Sequence, residues 1–125
     1  MTSGDGVYRV QLPWLALCPD NQRLGKGSGG QRSFLTDKYR DAKTWATLLM
    51  RQAHPPHADV PCRVVARFWV PNRARRDCAN LWKLLSDAMQ DAGVVVDDTL
   101  FWDIRLIRAG LDKVTPRVEI EVTPL

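Results

Sequence analysis

The stretch CRVVARFWV, residues 62–70, constrains the fold of this chain more than any other. Its side chains would alternate between two faces of a strand, with Cys62, Val64, Ala66, Phe68 and Val70 on one face and Arg63, Val65, Arg67 and Trp69 on the other. Pro71 and Asn72 end the run. An apolar stripe at helical spacing then predicts a helix over about 79–92, with Leu81, Leu84, Leu85, Ala88, Met89 and Ala92 in the core and Gly93 as its cap. A strand that feeds directly into a helix favours a domain of mixed α and β structure.

The remaining periodic segments complete that domain. We predict a strand over 7–12, a helix over about 37–53 whose apolar stripe includes Trp45, a short buried strand over 94–98, and strands over 102–109 and 117–122 that form a hairpin. The order β-α-β-α-β-β predicts an α+β fold with a small mixed sheet and two helices. A chain of 125 residues closes around one core, so residues 1–125 are expected to form a single domain.

Composition places the chain among ordinary soluble proteins. Apolar residues make up 45% and charged residues 26%, and the formal net charge is +4. The N-terminal residues lack the basic and apolar regions of a signal peptide, and no apolar run is long enough to span a membrane. Three cysteines at spacings unlike those of a metal site fit reduced thiols, so we expect a cytoplasmic protein that does not contact membranes.

The basic residues are unevenly distributed along the chain. Residues 62–76 contain no acid and five arginines: Arg63, Arg67, Arg73, Arg75 and Arg76. The Gly-rich segment 19–33 carries Arg23, Lys26 and Arg32, and is expected to be a flexible basic loop. It lacks the spacing of a phosphate-binding P-loop, so we expect no nucleotide cofactor. A polyanionic partner would suit this pattern.

A polar constellation follows the arginines. Asp77, Asn80 and Lys83 are spaced three residues apart and would share one face of the second helix, away from its leucines. A structural interpretation is also open, in which Asp77 caps the helix and the other two belong to a solvated face.

Asp97 and Asp98 form the second part of the constellation. Adjacent carboxylates after a run of valines repel one another unless a cation or water separates them, although a simple turn before Thr99 would also explain them. Both side chains can serve one site only if the chain turns there.

The two groups together indicate a class of chemistry. Arginine binds phosphate through two parallel hydrogen bonds, and Mg²⁺ takes carboxylates together with phosphate oxygens. The combination therefore favours metal-assisted phosphodiester hydrolysis, with Lys83 placed to stabilise charge at the phosphate. Of five tryptophans, Trp14, Trp69 and Trp82 fit either stacking surfaces or an oligomer interface.

Residues 72–108, NRARRDCANLWKLLSDAMQDAGVVVDDTLFWDIRLIR, resemble the core of the RusA-type Holliday junction resolvases. That family carries basic residues, then D-x-D-N-x-x-K, then a helix and a pair of aspartates. Similar residues recur at 12–14, 21–23 and 39–41, so the resemblance extends over most of the chain. It implies a homodimeric endonuclease, often of phage origin, that uses Mg²⁺ or Mn²⁺ to nick four-way DNA junctions symmetrically in recombination and repair.

The resemblance also implies roles for individual residues. Asp77, Asp97 and Asp98 match the metal ligands, and Asn80 and Lys83 match the remaining catalytic positions. The DNA-contacting set is expected to comprise Arg73, Arg75, Arg76, Lys83, Arg23, Lys26 and Arg32.

One position departs from the family pattern. Ala79 stands where the family has its second acid, so one ligand carboxylate is missing. Either an aspartate has been changed to alanine, or the chain is a naturally degenerate member of the family. We therefore expect an endonuclease that is inactivated or weakened. The alternative is a non-enzymatic protein that binds branched DNA, and a basic interaction module without a nucleic-acid role is a third class.

Overall fold

A computed structural model describes residues 6–17, 24–26, 33–35, 37–72 and 78–125 of the chain. The strands and α-helices are, in chain order, β1 (Tyr8–Pro13), β2 (Leu24–Lys26), β3 (Ser33–Leu35), α1 (Asp37–Gln52), β4 (Cys62–Val70), α2 (Trp82–Ala92), β5 (Phe101–Leu111) and β6 (Arg117–Pro124). The predicted α+β class, with a small mixed sheet and two helices, is confirmed.

The main sheet has four strands in the order β1-β6-β4-β5. Strand β4 pairs in parallel with β5 and antiparallel with β6, and β6 pairs antiparallel with β1. The predicted hairpin between the last two strands is therefore wrong, because β4 lies between them. Their connection crosses the end of β4, where the Asp112 amide donates to the Val70 carbonyl over 2.9 Å. Strands that are consecutive in sequence pair or neighbour one another only about two-thirds of the time.

The core occupies one face of this sheet, where both helices cover it. The alternation in β4 is confirmed, with Cys62, Val64, Ala66, Phe68 and Val70 all buried. The buried stripe of α1, however, consists of Tyr39, Ala42, Ala46, Thr47 and Met50. Trp45 was predicted to be part of that stripe, but it is 40% exposed because it lies one residue, or about 100° of helix rotation, away from Ala46.

Helix α2 begins later than predicted. A 3₁₀ turn over Cys78–Leu81 precedes it, so the segment that was expected to start a regular α-helix is wound more tightly. The predicted apolar stripe is buried throughout. Gly93 ends the helix with φ 84°, and its amide donates to the carbonyls of the last turn.

The segment after α2 is not the strand that was predicted for 94–98. Val95 forms only an isolated parallel bridge with Ala58, and a 3₁₀ turn over Asp98–Leu100 follows. Strands β2 and β3 form a separate antiparallel pair, and most of the predicted loop over 19–33 lies outside the described residues. Among the helices of the described ranges, none is long and apolar enough to cross a membrane.

Candidate functional site

The structure describes some of the predicted site residues and not others. Those outside the described residues are Asp77, Arg73, Arg75, Arg76, Arg23 and Arg32, and the side chains of Asn80 and Lys26 are likewise not described. The described members are Lys83, Asp97 and Asp98, together with Ala79 at the position of the missing acid.

Ala79 lies in the 3₁₀ turn that leads into α2, and it is exposed. An exposed alanine contributes little to the core, so a larger polar side chain is tolerated at this position without displacing buried groups. Position 79 therefore accepts an aspartate on steric grounds.

Asp98 is fastened to α2 by two contacts. The Ser86 hydroxyl, which is almost fully buried, donates to Asp98 Oδ2 over 3.3 Å, and the Asp98 amide donates to Gln90 Oε1 over 3.0 Å. Lys83 lies three residues before Ser86 and seven before Gln90, so all three project from the same face of the helix. The structure thus brings Asp98 to the helix face that carries Lys83.

Asp97 forms the turn before Thr99 that was the alternative explanation of the aspartate pair. Its Oδ1 accepts the Thr99 amide over 2.9 Å and caps the 3₁₀ turn. This backbone hydrogen bond, followed by one from the Thr99 side chain, holds the pKa of Asp97 below its ordinary value. Asp97 is therefore ionised at neutral pH, and the chain turns at the aspartate pair, as a shared site for both requires.

Lys83 is paired within its own helix. Its Nζ lies 3.1 Å from Asp87 Oδ1, one turn further along α2. Asp87 was not among the residues that the sequence assigned to the site. The spacing of four residues between a lysine and an acid was the available signal.

The described residues include the type of side chain that binds Mg²⁺, but only part of the predicted ligand set is described. Asp97 and Asp98 offer the hard oxygen ligands that Mg²⁺ requires. Within the described ranges, no group of three or more His, Cys, Asp or Glu side chains converges closely enough to hold a metal ion. Asp97 and Asp98 are thus the described candidates for ligands, and the third predicted ligand, Asp77, lies outside the described ranges.

Two arginines of the acid-free stretch are neutralised by the fold. Arg63 Nε lies 2.7 Å from Asp103 of β5, and Arg67 lies 3.3 Å from Glu121 of β6. Hydrogen bonds from Arg105 and then from Arg63 hold the pKa of Asp103 below its ordinary value, so Asp103 is ionised. The open face of the sheet is thus an ion-pair surface rather than an unpaired basic patch.

Trp69 lies on the same open face and does not present a free ring. Its Nε1 donates to Glu119 over 2.8 Å, and the Arg117 guanidinium lies 5.0 Å from the ring centroid. Trp82 packs edge-on against Phe101, with the centroids 5.6 Å apart. Both tryptophans therefore have structural roles within the chain.

Comparison with known proteins identifies the family. The model of the family described as endodeoxyribonuclease RusA matches residues 17–123, so the chain belongs to the RusA endodeoxyribonuclease family. It is 28% identical to the crossover junction endodeoxyribonuclease RusA of Escherichia coli K12 over 95% of this chain and 96% of that protein. The protein of the same name from Shigella sonnei is 30% identical, and that of Enterobacteria phage 82 is 28% identical, with the same coverage.

Proposed function

We propose that this chain has the fold and site of an endodeoxyribonuclease that acts on four-way DNA junctions. The observation that carries the proposal is the family match over residues 17–123. Relatives named crossover junction endodeoxyribonuclease RusA match 95% of the chain. The hydrogen bond between Asp98 and Ser86, which lies three residues after Lys83 on α2, supports it.

We assign the residues as follows. Asp77, Asp97 and Asp98 would hold Mg²⁺ or Mn²⁺, and that cation would supply charge neutralisation at the phosphate. Lys83 donates a hydrogen bond to the phosphate oxygens as negative charge develops there, and Asn80 is assigned to orient the substrate. Hydrogen bonds from Thr99 lower the pKa of Asp97 and so favour the ionised form that a metal ligand takes.

Ala79 limits what the chain can do with this site. Removal of one carboxylate from a small oxygen-ligand site lowers metal occupancy, since Mg²⁺ demands near-octahedral geometry. It also removes a negative charge close to the DNA phosphates. We therefore propose that the chain binds four-way junctions and cuts them slowly.

The test compares the chain with its Ala79→Asp variant on one labelled four-way junction, with and without Mg²⁺. We expect metal-dependent paired nicks from the variant only, and metal-free binding by the Ala79 chain that is equal or tighter. Rapid cleavage by the Ala79 chain would show that position 79 supplies no ligand. If neither version cuts while both bind, the non-enzymatic alternative holds, and if neither binds, the proposal is refuted.

A second copy of the chain is part of the proposal, because two symmetric nicks require two related sites. Strand β5 supports it. This strand is 11 residues long and forms one edge of the described sheet, and Trp102 is 70% exposed with Ile104 and Ile107 also exposed. A long edge strand with exposed apolar side chains can pair with another chain, so we place the partner copy along β5.

Analytical ultracentrifugation tests the dimer. Trp102→Glu is expected to shift the protein towards monomer, whereas Val114→Glu, at an 88% exposed apolar residue on the β5–β6 connection, is not. Equal effects of the two substitutions, or a monomeric parent with and without junction DNA, would contradict the assignment.

A further inference from the structure

We propose that Asp87, itself held by Tyr39, is a positioning residue that directs the Lys83 ammonium towards Asp98. This inference rests on the proposed function for the role of Lys83 in cleavage. The geometry that suggests it is present in the described residues alone.

Both oxygens of the Asp87 carboxylate are engaged. Oδ1 lies 3.1 Å from Lys83 Nζ, and Oδ2 accepts the Tyr39 hydroxyl over 2.6 Å. Tyr39 belongs to α1 and is fully buried, so its ring is fixed by the core and its hydroxyl in turn fixes the carboxylate. A flexible lysine is therefore tied to a rigid group on the neighbouring helix.

The direction of this ion pair is informative. Side chains on an α-helix lean towards its N-terminus, so an unrestrained Lys83 would point back towards the 3₁₀ turn. Asp87 lies one turn in the opposite direction. Pairing with it holds the ammonium against the turn 83–87, which also contains Ser86, the residue to which Asp98 is bonded.

An ordinary surface ion pair explains these contacts less well. A lysine placed four residues before an acid is the less favourable order on a helix, and such pairs contribute only a few tenths of a kcal/mol. A second ion pair, one turn further along α2, serves as a comparison. Lys43 Nζ lies 3.1 Å from Asp91 Oδ2, which also links α1 to α2 but touches none of the proposed site residues among the described contacts.

The same contacts argue against Asp87 as a metal ligand in place of the acid that is missing at position 79. A ligand oxygen has to be available to the cation, and both oxygens of Asp87 already have partners that are rigid or positively charged. Asp87 therefore acts through Lys83.

The experiment uses Asp87→Asn, with Asp91→Asn as the matched control. Asparagine keeps an oxygen that accepts the Tyr39 hydroxyl, so the link between the helices survives while the attraction for Lys83 is lost. In the Ala79→Asp background we measure single-turnover cleavage and junction binding. In the chain itself we measure the NMR order parameter of Lys83 Nζ.

We expect Asp87→Asn to slow cleavage by about tenfold to a hundredfold, which is typical for a misplaced catalytic group. Junction affinity should stay within about twofold, and the Lys83 order parameter should fall; Asp91→Asn should change none of the three. Asp87→Glu restores the charge and is expected to recover most of the rate, which a purely structural role of Asp87 would not require.

Two results would overturn the proposal: an unchanged Lys83 order parameter in Asp87→Asn, or equal cleavage by the two asparagine variants. If the Ala79→Asp parent cuts no junction, the proposed function fails separately. The order parameter then decides alone whether Asp87 holds Lys83.

Discussion

Removal of the Tyr39 hydroxyl should destabilise the fold by more than removal of the hydroxyl from an ordinary buried tyrosine. Tyr39→Phe deletes a short hydrogen bond to the Asp87 carboxylate, and hydrogen bonds to charged groups contribute about 1.5–3 kcal/mol. The Asp87 side chain is 24% exposed, so water replaces part of the loss. We therefore expect a decrease of about 1.5–2 kcal/mol in the free energy of unfolding.

The expected change in melting temperature follows from chain length. An unfolding entropy of about 2.1 cal/mol/K per residue amounts to about 0.26 kcal/mol/K for this chain, which converts the loss to about 6–8 °C. Calorimetry measures the change in melting temperature, and urea denaturation measures the change in the free energy of unfolding.

Tyr8→Phe is the matched control. Tyr8 is equally buried, but its hydroxyl donates to the Met50 carbonyl over 2.7 Å, and that carbonyl also accepts the Ala53 amide. No acceptor is left unpaired, so the cost should be about 1 kcal/mol. A Tyr39→Phe cost equal to or below that of Tyr8→Phe would refute the reasoning that the carboxylate anchors α2 to α1.

Three further predictions concern the sheet and the proposed DNA surface. Hydrogen bonds from the Thr115 amide, from its hydroxyl and from Arg117 lower the pKa of Asp112 from 3.8 to about 2. Stability from this group is therefore present above about pH 4 and lost as the pH falls towards 2, so the difference in urea midpoint between the chain and Asp112→Asn should shrink over that window. Gly110→Ala would place its Cβ 3.0 Å from the Trp69 ring, and denaturation should show a loss of about 1–3 kcal/mol, whereas no loss would mean that the ring moves freely. Alanine at Arg73, Arg75 and Arg76 should reduce the salt-dependence slope of junction binding by about three, and an unchanged slope would exclude these residues as phosphate contacts.

The fold class was predictable because local periodicity determines most of the elements. The alternation over 62–70 identifies β4 and its buried face, and the leucine stripe identifies α2. The pairing of β5 and β6 was not predictable in this way, since nothing in either strand shows that β4 separates them. Trp45 was misplaced because the apolar pattern of α1 does not show which side of the helix packs on the sheet, and the buried side contains Tyr39 and Met50 instead.

The candidate site was predictable only as a set of residue types. Spacing suggested that Lys83 faces away from the leucines, and the structure agrees. The contacts of Asp98 with Ser86 and Gln90 were not predictable, because they depend on how the loop after α2 folds back on the helix. The role of Tyr39 depends on the packing of α1 against α2, which is a tertiary property.

The arginines show why a charge pattern in sequence has to be judged in the fold. Residues 62–76 contain no acid, yet Arg63 and Arg67 meet Asp103 and Glu121 from strands that come much later in the chain. An arginine already paired with a carboxylate gains less from a phosphate, since the existing partner has to be given up. The prediction of DNA phosphate contacts within this stretch therefore rests on Arg73, Arg75 and Arg76. They adjoin the turn that carries Ala79, so binding and cleavage are expected to depend on neighbouring but separable residues.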